Sequence, residues 1–128
     1  MSSDDYTISA RVDDDVATTE QRVRQTLADE GFGILTEIDV QSTLRDKLDV
    51  EMPAYRILGA CNPSLAHQAL QADPAIGSLL PCNVVVRAHP DGGSEIIAAD
   101  PKAMLAVAKS ALVQPIADDA TQRITRAV

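Results

Sequence analysis

Tyr55-Arg56-Ile57-Leu58-Gly59-Ala60-Cys61-Asn62-Pro63-Ser64-Leu65-Ala66-His67 passes from a strand pattern to a helix start within three residues, and the junction at Cys61 decides the fold. Residues 54–61 are aliphatic apart from Tyr55 and Arg56, the composition of a largely buried strand. Asn62-Pro63 then signals a helix: an Asn side chain can accept from a first-turn amide, and Pro has a preset φ and no N–H to leave unpaired. The spacing predicts a helix over 63–72, halted at Asp73-Pro74.

Working outward, 76–81 returns the chain towards a sheet, and 82–89 is the most strand-like run in the sequence. Pro90-Asp91-Gly92-Gly93 supplies a turn, so 82–99 reads as a hairpin with 94–99 as its return strand. Upstream, 32–40 and 6–12 alternate with period two, as half-buried strands do. Between them, Val16, Glu20, Val23 and Leu27 mark a helix over 17–30 that Gly31 ends. Asp13, Asp14 and Asp15 serve that helix as capping carboxylates rather than as metal ligands. A short surface helix is expected over 41–49. Asp100-Pro101 repeats the cap-and-proline device, and Met104, Leu105, Ala108 and Leu112 predict one more substantial helix closed by Pro115. Residues 1–5 are expected to be peripheral, and 114–128 to form a short final helix or a peripheral, frayed end.

The order is therefore βαβαβαββα. It specifies a single α+β domain over 1–128, a two-layer sandwich with a mixed or mainly antiparallel sheet and helices on one face. The other face would be left bare, so a homodimer joined through the sheet is expected.

Composition narrows the function. The aromatic residues are Tyr6, Phe32 and Tyr55, so the core must be built from Val, Ile, Leu and Ala. Eleven basic residues against nineteen acidic ones leave a net charge of −8, and residues 1–64 hold thirteen of the acids and six of the bases. Such a surface repels phosphate backbones and anionic lipid, which argues against nucleic acid and membrane as partners. There is no apolar run long enough to span a bilayer, and Met1-Ser2-Ser3-Asp4-Asp5 is the reverse of a signal peptide, so a cytoplasmic location is expected.

The residues that could carry chemistry gather at the junction. Cys61 ends its strand beside the expected helix cap, where amides and the helix dipole would favour a thiolate. Cys82 opens the fourth strand, and whether it meets Cys61 depends on antiparallel pairing of the two strands. His67 lies one helical turn beyond Pro63 and would have to fold back to serve Cys61; it reads more simply as a surface histidine. His89 borders a turn and reads as solvated. Arg56 and Arg87 read as cross-strand partners of Glu37, Asp39 or Glu95 rather than as a clamp for an anion. Two thiols alone fall short of a tetrahedral metal site unless His67, another side chain or a dimer mate contributes, and no phosphate loop or hydrolase motif occurs.

Three segments resemble those of the bacterial and archaeal "domain of unknown function 302" family: Gly31-Phe32-Gly33-Ile34-Leu35-Thr36-Glu37-Ile38-Asp39, Tyr55 through Pro63, and Leu80-Pro81-Cys82-Asn83-Val84. The resemblance extends over about 6–112. It implies a small α+β domain, commonly dimeric, with no established activity, and it makes Cys61, Asn62, Pro63, Pro81 and Cys82 the counterparts of the family's signature residues. The expected function is a ligand-binding or thiol-redox module. In it Cys61, with Asn62, Cys82 and His67, would hold a small ligand such as a soft metal, a haem or a sulfur species. The competing expectation is a dimeric scaffold whose cysteines are purely structural. Hydrolysis by a Cys61 nucleophile lacks a base placed to serve it.

Overall fold

The computed structural model describes residues 5–128. In chain order it contains β1 (Thr7–Val12), α1 (Val16–Asp29), β2 (Gly33–Asp39), α2 (Val40–Leu48), β3 (Tyr55–Cys61), α3 (Pro63–Ala72), a 3-10 turn at Pro74–Leu79, β4 (Cys82–Ala88), β5 (Ser94–Ala99), α4 (Pro101–Leu105) and α5 (Gln114–Ala127). The five strands form one sheet in the order β1-β5-β4-β3-β2, with antiparallel pairing throughout. The fold is the α+β architecture that the alternating patterns predict. Of the N-terminal residues expected to be peripheral, 1–4 lie outside the described residues.

Alternation along the strands divides the sheet into two faces. Leu58, Val84, Val86, Ile96, Ala98 and Ile8 point to the helical side and are buried. Val23 and Leu27 of α1, with Ile124 and Ala127 of α5, close over part of this surface to form the main core. A second, smaller cluster joins Ala69 of α3, Ile76, Leu105 of α4 and Val113 and Ala117 at the start of α5. On the opposite face Ile38, Ile57, Val85 and Ile97 lie side by side across four strands. Ile57, Val85 and Ile97 are partly buried, and Ile38 remains 47% exposed.

The capping signals act as expected. Asp15 accepts a hydrogen bond from the Thr18 amide at 2.8 Å and starts α1, while Asp14 pairs with Arg22. Arg87 pairs with Glu95 directly across the β4–β5 ladder at 2.7 Å.

The last third of the chain departs from expectation. Of the two expectations for residues 114–128 the helix is the one observed, and it is longer and more buried than a short final turn: α5 runs for 14 residues, with Ala117 and Ile124 wholly buried. Ala117, Ala120, Ile124 and Ala127 recur at helical spacing, and three of the four are alanines, which bring α5 close to its neighbours without adding much hydrophobicity to the pattern. Polar ties fix it further: the Thr26 hydroxyl donates to the Ala127 carbonyl at 2.8 Å, Arg123 donates to the Glu30 carbonyl, and Arg126 pairs with Glu30. By contrast, the helix expected after Pro101 is short. It tightens into a 3-10 turn at Ala106–Ala108 and ends at Lys109, whose φ is 52°, leaving Leu112 70% exposed.

Candidate functional site

β3 and β4 are antiparallel neighbours, with Ala60 opposite Cys82. Cys61 is the last residue of one strand and Cys82 the first of the other, so the ladder brings both thiols to the same end of the sheet. Each is a free cysteine. Beyond the strand ends the chain turns into α3 on one side, and on the other it arrives through Leu80 and the cis-linked Pro81. Gly59 makes room for that approach: a β-carbon there would collide with Thr36 Oγ1 and lie 2.8 Å from Pro81 Cγ.

These segments enclose a cavity of about 40 Å³. Cys61, Cys82 and Ala60 contribute from the strand ends, and Asn62, Leu65 and Ala66 from the first turn of α3. Phe32, Leu80, Pro101 and Ile116 complete much of the wall. The lining residues are apolar apart from Cys61, Cys82 and Asn62. Such a space holds about two or three water-sized groups, which suits an ion or a diatomic-sized ligand.

Asn62 is the N-cap of α3, its Oδ1 accepting from the Leu65 amide at 3.2 Å. Pro63 has no N–H and the Leu65 N–H is already engaged, so the first turn offers few donors to a neighbouring anion. The thiolate expected at Cys61 is accordingly not favoured. Burial pushes the Cys61 thiol up from its ordinary value. Cys82 is pushed up to about 11, first by burial and then by the charge that Cys61 would carry. Both are protonated near neutral pH. The shift thus runs opposite to the one the helix start suggests, with desolvation by burial as its cause.

Of the four residues expected at the site, Cys61, Asn62 and Cys82 come together. His67 is exposed on α3 and does not line the cavity. Arg56 and Arg87 are both occupied by carboxylates, Arg56 by Glu20, Glu37 and Asp39. Among the described residues no group of three His, Cys, Asp or Glu side chains could hold a metal, and no helix is long and apolar enough to cross a membrane. The sequence reading missed the walls supplied by Phe32, Pro101, Leu105, Ile116 and Ala120. These lie far apart along the chain, and only the Asp100-Pro101 cap gave any local signal that one of them would be fixed in place.

The fold is similar to a solved structure described as an uncharacterized conserved protein DUF302 from Bacillus stearothermophilus, with a TM-score of 0.87 and 26% identity over 94% of each chain. No curated protein matches the chain. The family model described as "Domain of unknown function DUF302" matches residues 8–128, and the chain belongs to that family.

Proposed function

We propose that this domain binds a small thiol-seeking ligand in the cavity at the end of the β3–β4 ladder, with Cys61 and Cys82 as the attachment points. One observation carries the reading: two free cysteines at neighbouring strand ends are among the residues that line the same small, mostly apolar cavity. Asn62 fixes the first turn of α3 against it. A soft metal ion or a sulfur species matches the donors and the space. A haem does not, because drug- and cofactor-sized ligands occupy pockets of about 300–1,000 Å³ and this cavity measures about 40 Å³. A reducing compartment such as the cytoplasm would keep both thiols available.

The exposed sheet face supports a homodimer as the working form. Ile38, Ile57, Val85 and Ile97 present an apolar row that a second copy would bury in a two-fold arrangement. The raised thiol pKa values favour a second reading, a dimeric scaffold with inert cysteines, since protonated thiols are poor nucleophiles.

Thiol counting on the native, reduced protein, together with elemental analysis of freshly purified material, separates the two. Ligand binding is supported by alkylation of Cys61 and Cys82 that a bound metal or sulfur species blocks. Two cysteines that resist alkylation until the protein is unfolded, in a protein free of metal and bound sulfur, would leave the scaffold.

A further inference from the structure

We infer that the cavity beneath α3 takes an uncharged, apolar ligand of about two or three heavy atoms, a molecule of dissolved-gas size. This rests on the cavity being a ligand site, as the reading above does, but on neither cysteine as an attachment point.

The lining selects against charge. Among the residues around the cavity none is acidic, basic or a histidine, so an ion that entered would give up its hydration with no opposite charge to replace it. Water is poorly served as well. A buried water needs about two to four hydrogen-bond partners, whereas Pro81 and Pro101 in the wall have no N–H and cysteine thiols are weak partners. Asn62 is the one amide side chain in the lining, and its Oδ1 is engaged by the Leu65 amide at 3.2 Å. A neutral, apolar molecule forfeits no hydrogen bonds on entry. It gains dispersion contacts with side chains such as Phe32, Leu65, Leu80 and Ile116, which an empty space withholds from them.

Size and access narrow the class further. An apolar cavity of about 150 Å³ stays dry and binds benzene or xenon; at about 40 Å³ this one is too small for the ring. One wall is α3, in which Ala69 is the single buried residue. Leu65 and Ala66 line the cavity from the same helix and are only partly buried. A helix held by so few buried side chains opens locally at small cost, which makes α3 the wall through which a ligand enters. Selection then works through size and polarity, with no hydrogen bond to the ligand required.

The test is methyl-detected NMR of the full, reduced chain under increasing xenon pressure, with xenon as the neutral apolar probe and azide as a small ionic one. Methyl signals of Leu65, Leu80 and Ile116 should move together and saturate as one site fills with xenon, and azide should leave them in place. Ala66→Leu, which fills the space from α3, should lose the saturable response. Ile116→Ala, which enlarges the space, should keep xenon and also admit benzene, which the native chain refuses. Either variant suffices if the other does not fold. Shifts that grow linearly without saturation overturn the inference, as do a response kept in full by Ala66→Leu or xenon displaced by azide. The two readings of the cavity fail separately. Cysteines that a metal or sulfur species protects from alkylation, in a chain that ignores xenon, would leave the attachment reading without this one. Inert cysteines in a chain that takes up xenon would do the reverse, and failure of both would end the cavity as a ligand site.

Discussion

Asn62 stands against Gly31: a β-carbon added to Gly31 would lie 2.9 Å from Asn62 Nδ2. The end of α1 and the start of α3 thus share one tight corner beside the cavity, and Arg123 of α5 reaches the same corner by donating to the Glu30 carbonyl at 3.0 Å. Gly31 also has a φ of 90°, a conformation that side chains rarely adopt. Gly31→Ala is therefore expected to destabilise the fold by about 1–3 kcal/mol. Its effect should extend to the α3 cap, because the new methyl group presses on the side chain that makes it. Urea unfolding measures the first effect; faster alkylation of Cys61 in the folded variant would report the second. A variant as stable as the native chain would show that this corner yields freely.

Arg56 gathers three carboxylates from two elements: Glu20 of α1 at 2.9 Å, Asp39 at 3.6 Å and Glu37 at 3.7 Å from β2. Arg24 also pairs with Glu20 and Glu37, so α1 is strapped to the edge of the sheet by two cations and three anions. With Arg56 25% and Glu20 16% exposed, the group lies between a surface pair and a buried one. Arg56→Ala should cost about 1–2 kcal/mol, with the loss reduced at high salt as the uncompensated carboxylates are screened. Arg56→Lys should recover only part of it, since an ammonium cannot fork towards several carboxylates. Denaturant midpoints at two ionic strengths provide the measurement, and a change below about 0.5 kcal/mol would place this network among ordinary surface pairs.

The parts of the fold that were legible in the sequence are those written in local chemistry. Asn62-Pro63 announced α3 because a cap and a helix-ready proline act within one turn, and Pro90 to Gly93 announced the β4–β5 hairpin for the same reason. α5 was not legible. Its buried stripe is Ala117, Ala120, Ile124 and Ala127, and alanine is as much at home on a surface as in a core, so the pattern lacked contrast until α1 was seen packed against it. The site divides in the same way. The strand-end positions of Cys61 and Cys82 could be read from the sequence, but their arrival at the same end of the sheet required the β3–β4 register. The direction of their pKa shift required the wall. A helix start alone suggests a stabilised thiolate, whereas burial of the strand end, which the local sequence does not announce, raises both thiols.

Val85 occupies the middle of the apolar row on the open sheet face, between Ile57 and Ile97. If a second copy covers that row, Val85→Glu places a charge at the centre of the interface, where a substitution typically costs about 2 kcal/mol or more of association energy. The expected outcome is a native chain that sediments as a dimer at micromolar concentration and a folded variant that sediments as a monomer. A native chain that is monomeric under those conditions, or a variant that dimerises equally well, would exclude this face.

Cys82 makes stability and reactivity depend on pH in a defined window. Its thiol is pushed from an ordinary value of 9.0 to about 11 in the folded chain, while in the unfolded chain it returns to the ordinary value. Below pH 9 the thiol is protonated in both states and the full stability is present. Between pH 9 and about 11 the unfolded chain loses its proton first, so stability falls as pH rises, by at most about 1.4 kcal/mol for each pH unit. Cys61, raised in the same direction, adds to the loss. Cys82→Ala should flatten the decline, and Cys61→Ser should flatten it less. In the folded protein at pH 8, Cys82 should react with iodoacetamide about a hundredfold more slowly than an unhindered thiol, because so little of it is thiolate, with the rate climbing as pH approaches 11. Denaturant unfolding from pH 8 to pH 11 and a parallel alkylation profile check both. A stability curve unchanged by Cys82→Ala, or a Cys82 that alkylates as fast as a free thiol at pH 8, would mean that the cavity does not desolvate this sulfur.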